Sequence, residues 1–73
     1  MESTYLHFQI PPEVNPYIYA SHNRSELGYT IENIQPMSDG TAHLIFRVPL
    51  EERHQCRKCI EDVLHLPFVE EDS

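Results

Sequence analysis

Glycine is nearly absent from this chain. Gly28 and Gly40 are its only two, so no glycine-rich loop is present to cradle a phosphate with closely approaching backbone N–H groups. Cysteine is equally scarce. Cys56 and Cys59 are the only pair, fewer than the four or more that staple a small secreted domain. Basic residues are also few: five Lys and Arg face twelve Asp and Glu, a formal net charge of -7. Such a surface repels phosphate backbones and anionic membranes, and it attracts basic surfaces over a range that salt shortens. No apolar run approaches the roughly 20 residues that a membrane-spanning helix needs. Met1 to Ile10 lacks the basic and then apolar layout of a signal peptide. These absences predict a reducing, cytoplasmic setting, with neither direct nucleic-acid binding nor membrane association.

What is present suffices for a compact fold. The chain has 73 residues, of which 40% are hydrophobic and 10% aromatic. That is one domain near the lower limit for folding without staples, with little room for a deep active-site cavity. There is no internal repeat and no low-complexity segment.

Hydrophobic spacing divides the chain. Thr4 to Ile10 alternate, with Leu6, Phe8 and Ile10 on one side and Tyr5, His7 and Gln9 on the other. This period of two predicts a strand, stopped by Pro11 and Pro12. Asn15-Pro16 signals a turn, and Tyr17-Ile18-Tyr19 has the composition of a short edge strand. Ser21 to Leu27 reads as a loop, or as a helical turn capped by Gly28. Tyr29 to Gln35 predicts a second strand whose apolar phase slips between Ile31 and Ile34; a bulge near Asn33 restores it. Asp39-Gly40 is a strong hairpin signal. Beyond it Ala42, Leu44, Phe46 and Val48 alternate with Thr41, His43, Ile45 and Arg47.

From Leu50 to about His65 the period becomes helical. Cys56, Cys59, Ile60, Val63 and Leu64 fall at i, i+3, i+4, i+7 and i+8, a single apolar stripe. Glu51 and Glu52 lie in the first turn, where they complement the helix dipole. Pro67 ends the helix. The expected fold is therefore α+β: a small antiparallel sheet of three or four strands, with one C-terminal helix packed on one face. Residues 1–69 form the single domain, and 70–73 (Glu70-Glu71-Asp72-Ser73) an acidic tail, mobile in solution.

Three constellations carry possible chemistry. Cys56-Arg57-Lys58-Cys59 is a CxxC pair, but it lies one to two turns inside the helix rather than at the N-terminus that activates redox thiols. A structural zinc module built from Cys56 and Cys59 with His54 and His65 offers suitable ligands. Against it, both cysteines fit the apolar stripe, where free cysteine usually sits, while His54 points away from it. His7 and His43 share the sheet face away from the helix, and with Glu32 they offer a titrating cluster for acid–base work. No nucleophile elbow or metalloprotease helix accompanies them. The chain is therefore expected to be no enzyme and to use no cofactor or metal.

Recognition remains. The uncovered sheet face would present Tyr5, His7, Thr30, Glu32, His43, Ile45 and Arg47, a mixture suited to an interface. Tyr17 and Tyr19 add an edge or loop that could meet a partner. An uncovered face serves a monomer that binds another protein or a homodimer equally well.

The whole-chain profile supports one resemblance. It rests on the compact span from Met1 to Ser73, the acidic end Glu70-Glu71-Asp72, and the hairpin-plus-helix from Tyr29 to Leu66. In these features the chain resembles small acidic phage-encoded regulators that bind host RNA polymerase or other host machinery. The resemblance implies a cofactor-free regulator or inhibitor that docks on a larger protein with a basic surface, RNA polymerase among the candidates.

Overall fold

The computed structural model of the chain describes residues 2–22 and 29–72. Four strands and one α-helix follow in the order β1 (Ser3–Ile10), β2 (Thr30–Pro36), β3 (Ala42–Pro49), α1 (Arg53–Leu64) and β4 (Phe68–Asp72). The strands lie side by side as β2-β3-β1-β4, and each neighbouring pair is antiparallel. The fold is the expected α+β sheet with one helix on one face. The helix, however, is followed by a strand and lies within the chain order rather than at its end.

The two central strands set the core. Their register places Leu6 opposite Phe46 and Phe8 opposite Leu44. Because side chains alternate along a strand, this pairing gathers Leu6, Phe8, Ile10, Ala42, Leu44, Phe46 and Val48 on one face, and all are buried. From α1, Cys56 and Ile60 cover them. Cys59 and Leu64 pack at the margin, while Val63, the outermost residue of the stripe, is 51% exposed. Phe46 meets Phe8 and Tyr29 edge to face, at centroid distances of 5.9 and 5.5 Å. Such contacts each add about 0.5–1.5 kcal/mol beyond area burial.

The hairpin between β2 and β3 forms where Asp39-Gly40 predicts it. Gly40 has φ +91°, a conformation that side chains with a Cβ rarely adopt. Its N–H donates to the Met37 carbonyl at 3.2 Å. The Asp39 carboxylate accepts from the Thr41 hydroxyl at 2.6 Å and the Thr41 N–H at 3.0 Å. These bonds hold its carboxyl below the usual carboxylate range, the hydroxyl contributing most. The carboxylate's share of turn stability is thus present above the ordinary carboxylate pKa. It fades as the pH falls through the depressed value. The bulge expected near Asn33 is also present, as a register shift between Ile31 and Asn33. It returns Ile34 to the core side, opposite Leu44.

Two expectations need correction. Tyr17-Ile18-Tyr19 is not a strand but a 3-10 turn, Pro16–Tyr19. The Asn15 side chain accepts the Tyr17 N–H at 3.1 Å, and Pro16 presets the first helical φ, so capping outweighs strand composition. Helix α1 closes at Leu64, where the helical period places its end, because His65 takes a left-handed φ of 56° and its N–H donates to the Glu61 carbonyl. The reading of Ser21 to Leu27 lies mostly outside the described residues.

The acidic end is the second. Glu70, Glu71 and Asp72 are no tail; they form β4 with Phe68 and Val69, paired to β1. Phe68 anchors the strand, its ring 5.6 Å from that of Phe8 and beneath the Arg57 guanidinium at 3.8 Å. Glu71 faces Arg53 of the helix at 3.5 Å, and the Thr4 hydroxyl donates to the Asp72 carbonyl at 3.1 Å. Deleting residues 68–73 should therefore lower the urea unfolding free energy by roughly 2 kcal/mol, the scale of one large apolar side chain returned to water. A dangling tail would be silent in the same titration.

Candidate functional site

The sheet face away from α1 carries the polar chemistry. On β1, Tyr5 and His7 point to it. On β3 it receives His43, Ile45 and Arg47, which lie opposite Gln9, His7 and Tyr5. The bulge in β2 brings Thr30, Asn33 and Gln35 opposite Arg47, Ile45 and His43. On β4, Glu70 stands directly across from His7 and Asp72 across from Tyr5.

Two histidines meet at its centre. Their Nδ1 atoms are 3.1 Å apart and their rings are nearly perpendicular, at 87°. One ring donates and the other accepts, and the tautomers decide which. The second nitrogen of His7, Nε2, lies 3.0 Å from the Asp72 carboxylate. His7 is buried, although the strand face around it is not covered by the helix. Its position on an inner strand, between β3 and β4, supplies that burial.

The expected cluster of His7, His43 and Glu32 is thus half met. The two histidines converge, but the nearby carboxylates are Glu70 and Asp72. Glu32 turns instead to Arg47, at 3.8 Å. Both partners of that pair are about half exposed, so it adds little to stability. Ile45, expected among the partner-binding residues of the uncovered face, is 8% exposed. It lies on an inner strand, flanked by His7 and Asn33 in the paired strands. Tyr5 is half-buried and Arg47 exposed.

Tyr17 and Tyr19 part company. Tyr19 packs against the core, whereas Tyr17 and its neighbour Ile18 stand out, 63% and 58% exposed. The Asn15-Pro16 signal points to this turn, yet the composition of the segment masks it.

The four zinc candidates on and after the helix do not gather. Among the described residues, the one group of three or more metal-ligating side chains that converges is His7, His43 and Glu70; His54, Cys56, Cys59 and His65 form none. His54 and His65 are exposed, while Cys56 is buried in the core. Burial pushes the Cys56 thiol up, with Glu52 and Cys59 adding to the rise, so it remains the unreactive protonated form at neutral pH. Cys59 is partly exposed, its sulfur 3.9 Å from the Tyr29 hydroxyl. Neither the hollow lined by Glu2, Pro49, Leu50, Glu51 and Glu52 nor that beside Tyr29, Gln55, Cys56 and Cys59 contains a histidine. No family model matches the chain, and neither a curated protein nor a solved structure matches it.

This arrangement predicts an order of thiol labelling. Under native conditions iodoacetamide should modify Cys59 first, and Cys56 only at the rate of unfolding. Mass spectrometry of a time course reads the two sites separately. Equal rates for both would show that Cys56 is not held in the core.

Proposed function

We propose that the domain is a non-catalytic binding module that docks on a larger protein through an apolar projection, steered by its negative charge to a basic surface. The observation that carries this reading is the pair Tyr17 and Ile18. Two consecutive large side chains are 63% and 58% exposed on a turn capped by Asn15, and the next residue, half-buried Tyr19, packs against the core. A side chain held out this way loses little conformational freedom on binding, which is how aromatic anchors become hot spots.

Charge supplies direction. The formal net charge is -7, and Glu70 and Asp72 are exposed on the β4 edge. Carboxylates in this number draw a basic partner and raise its association rate. Arg47 and Glu32, both exposed, and half-buried Tyr5 and His43 extend the polar rim. Ile45 and His7, being buried, contribute less contact than their sequence positions suggest. The resemblance in size and charge to small phage-encoded regulators supports a regulator or inhibitor, with RNA polymerase as one large basic-surfaced candidate.

The test compares the wild-type domain with Tyr17→Ser/Ile18→Asp, whose exposed positions leave the core intact. Immobilised wild-type domain should retain one basic protein from host lysate in stoichiometric amount. Raising salt from about 0.01 to about 1 M shortens the screening length from about 30 to about 3 Å and should release it. The double variant should bind that purified protein at least about thirtyfold more weakly, the equivalent of roughly 2 kcal/mol. An unchanged affinity overturns the reading. Sedimentation equilibrium showing a homodimer that the same substitutions dissolve would overturn it too, assigning the projection to a second copy of the chain.

A further inference from the structure

We propose that His7, His43 and Glu70 form a binding site for one zinc-class divalent ion on the open sheet face, with Asp72 as the residue that orients His7. The site goes beyond the docking reading and does not rest on it.

Geometry is the first argument. The candidate ligand atoms of His7, His43 and Glu70 all lie within 4.8 Å of one another, and the two Nδ1 atoms are 3.1 Å apart. Two imidazole nitrogens bound to one tetrahedral zinc at about 2.0–2.1 Å are separated by about 3.3 Å. The histidine pair is therefore already close to the spacing of a shared ion. Glu70 is exposed, so rotation about its side-chain bonds can bring a carboxylate oxygen the remaining distance. Two imidazoles and a carboxylate form a donor set suited to zinc, cobalt or nickel.

A carboxylate that is not itself a ligand stands behind His7. A metal-binding histidine characteristically donates its other ring N–H to a carboxylate, which fixes the ring and makes the bound nitrogen more basic. His7 has that partner: Nε2 is 3.0 Å from Asp72 Oδ2. With its proton on Nε2, His7 leaves its Nδ1 lone pair free on the side of the His43 Nδ1 atom, 3.1 Å away. Burial of His7 further limits the ring.

The backbone provides the rest. His7, His43 and Glu70 come from three adjacent strands, β1, β3 and β4. The ion would clip β4 to the inner strands by side chains on the face opposite the helix. Half-buried His43 and exposed Glu70 leave an approach from solvent, and three protein ligands leave a fourth position for water or a partner's side chain. The carboxylates of Glu70 and Asp72 offset the charge of a divalent ion.

Chelator-stripped full-length protein titrated with zinc chloride, by calorimetry and in competition with a chromophoric chelator, tests the site. One ion per chain is expected at micromolar zinc, with the ring signals of both His7 and His43 displaced in NMR spectra. Asp72→Asn should keep the stoichiometry and weaken binding by about 10–100-fold. His43→Ala should weaken it further, and Glu70→Gln repeats the test at an exposed side chain should His43→Ala disturb folding. A Cys56→Ala/Cys59→Ser chain should bind as the wild type does. Cobalt in place of zinc should give the visible bands of a tetrahedral nitrogen and oxygen site without thiolate charge transfer. No binding at micromolar zinc overturns the proposal and leaves the histidines as a hydrogen-bonded pair. Affinity unchanged in both His43→Ala and Glu70→Gln, or lost in the cysteine variant, also overturns it.

Discussion

The ladder between β1 and β3 sets Leu6 against Phe46 and Phe8 against Leu44, and the helix can cover only one side of that ladder. A shift of one residue would turn every apolar side chain of a strand to the wrong face. With the register fixed, the remaining elements have little choice. Cys56 and Ile60 bring α1 onto the apolar side. The bulge in β2 lets Ile31 and Ile34 both serve it, although they are an odd number of residues apart. The same register puts His7 and His43 on the other side, and the pairing of β4 with β1 adds Glu70 and Asp72 there, where polar groups keep access to water or to one another.

β4 links these two sides. Its own sequence favours solvent, since three of its five residues are acidic. What holds it is context: Phe68 between Phe8 and Arg57, and Glu71 toward Arg53 on the helix side. Across the sheet, Asp72 meets His7 on the open face. An acidic strand at a sheet edge also discourages edge-to-edge pairing between copies, because like charges would meet. The edge that aids solubility thus carries two of the carboxylates that surround the histidine pair. The apolar projection at Tyr17 and Ile18 stands on a separate segment, between β1 and β2.

Much of the fold was legible because the periods were clean. Alternation in Thr4–Ile10 and Ala42–Val48, the Asp39-Gly40 turn and the stripe from Cys56 to Leu64 are local signals, and each corresponds to an observed element. The phase slip between Ile31 and Ile34 was enough to locate a bulge. Tyr17-Ile18-Tyr19 misled because strand composition competes there with an Asn-Pro cap, and the cap prevails where, among the described residues, no strand pairs with the segment. Half of the candidate site was visible for the same reason: His7 and His43 could be placed on one face by parity alone. Glu70 and Asp72 were missed because a charged run at the end of a chain has no local signature of pairing. Ile45 looked exposed because parity assigns a face but not how well neighbouring strands enclose it.

The sequence by itself determined the class of fold, the two faces of the sheet, the apolar stripe of the helix and the acidic balance. These follow from backbone periodicity and from composition, which act within a few residues or sum over the whole chain. Only the tertiary structure decided strand order, and strand order put β4 beside β1. That neighbour relation, enforced by Phe68 packing on Phe8 sixty residues earlier in the sequence, converts an acidic end into a wall of the His7–His43 pair. Contacts between such distant positions depend on how the whole core closes, and no local pattern records that.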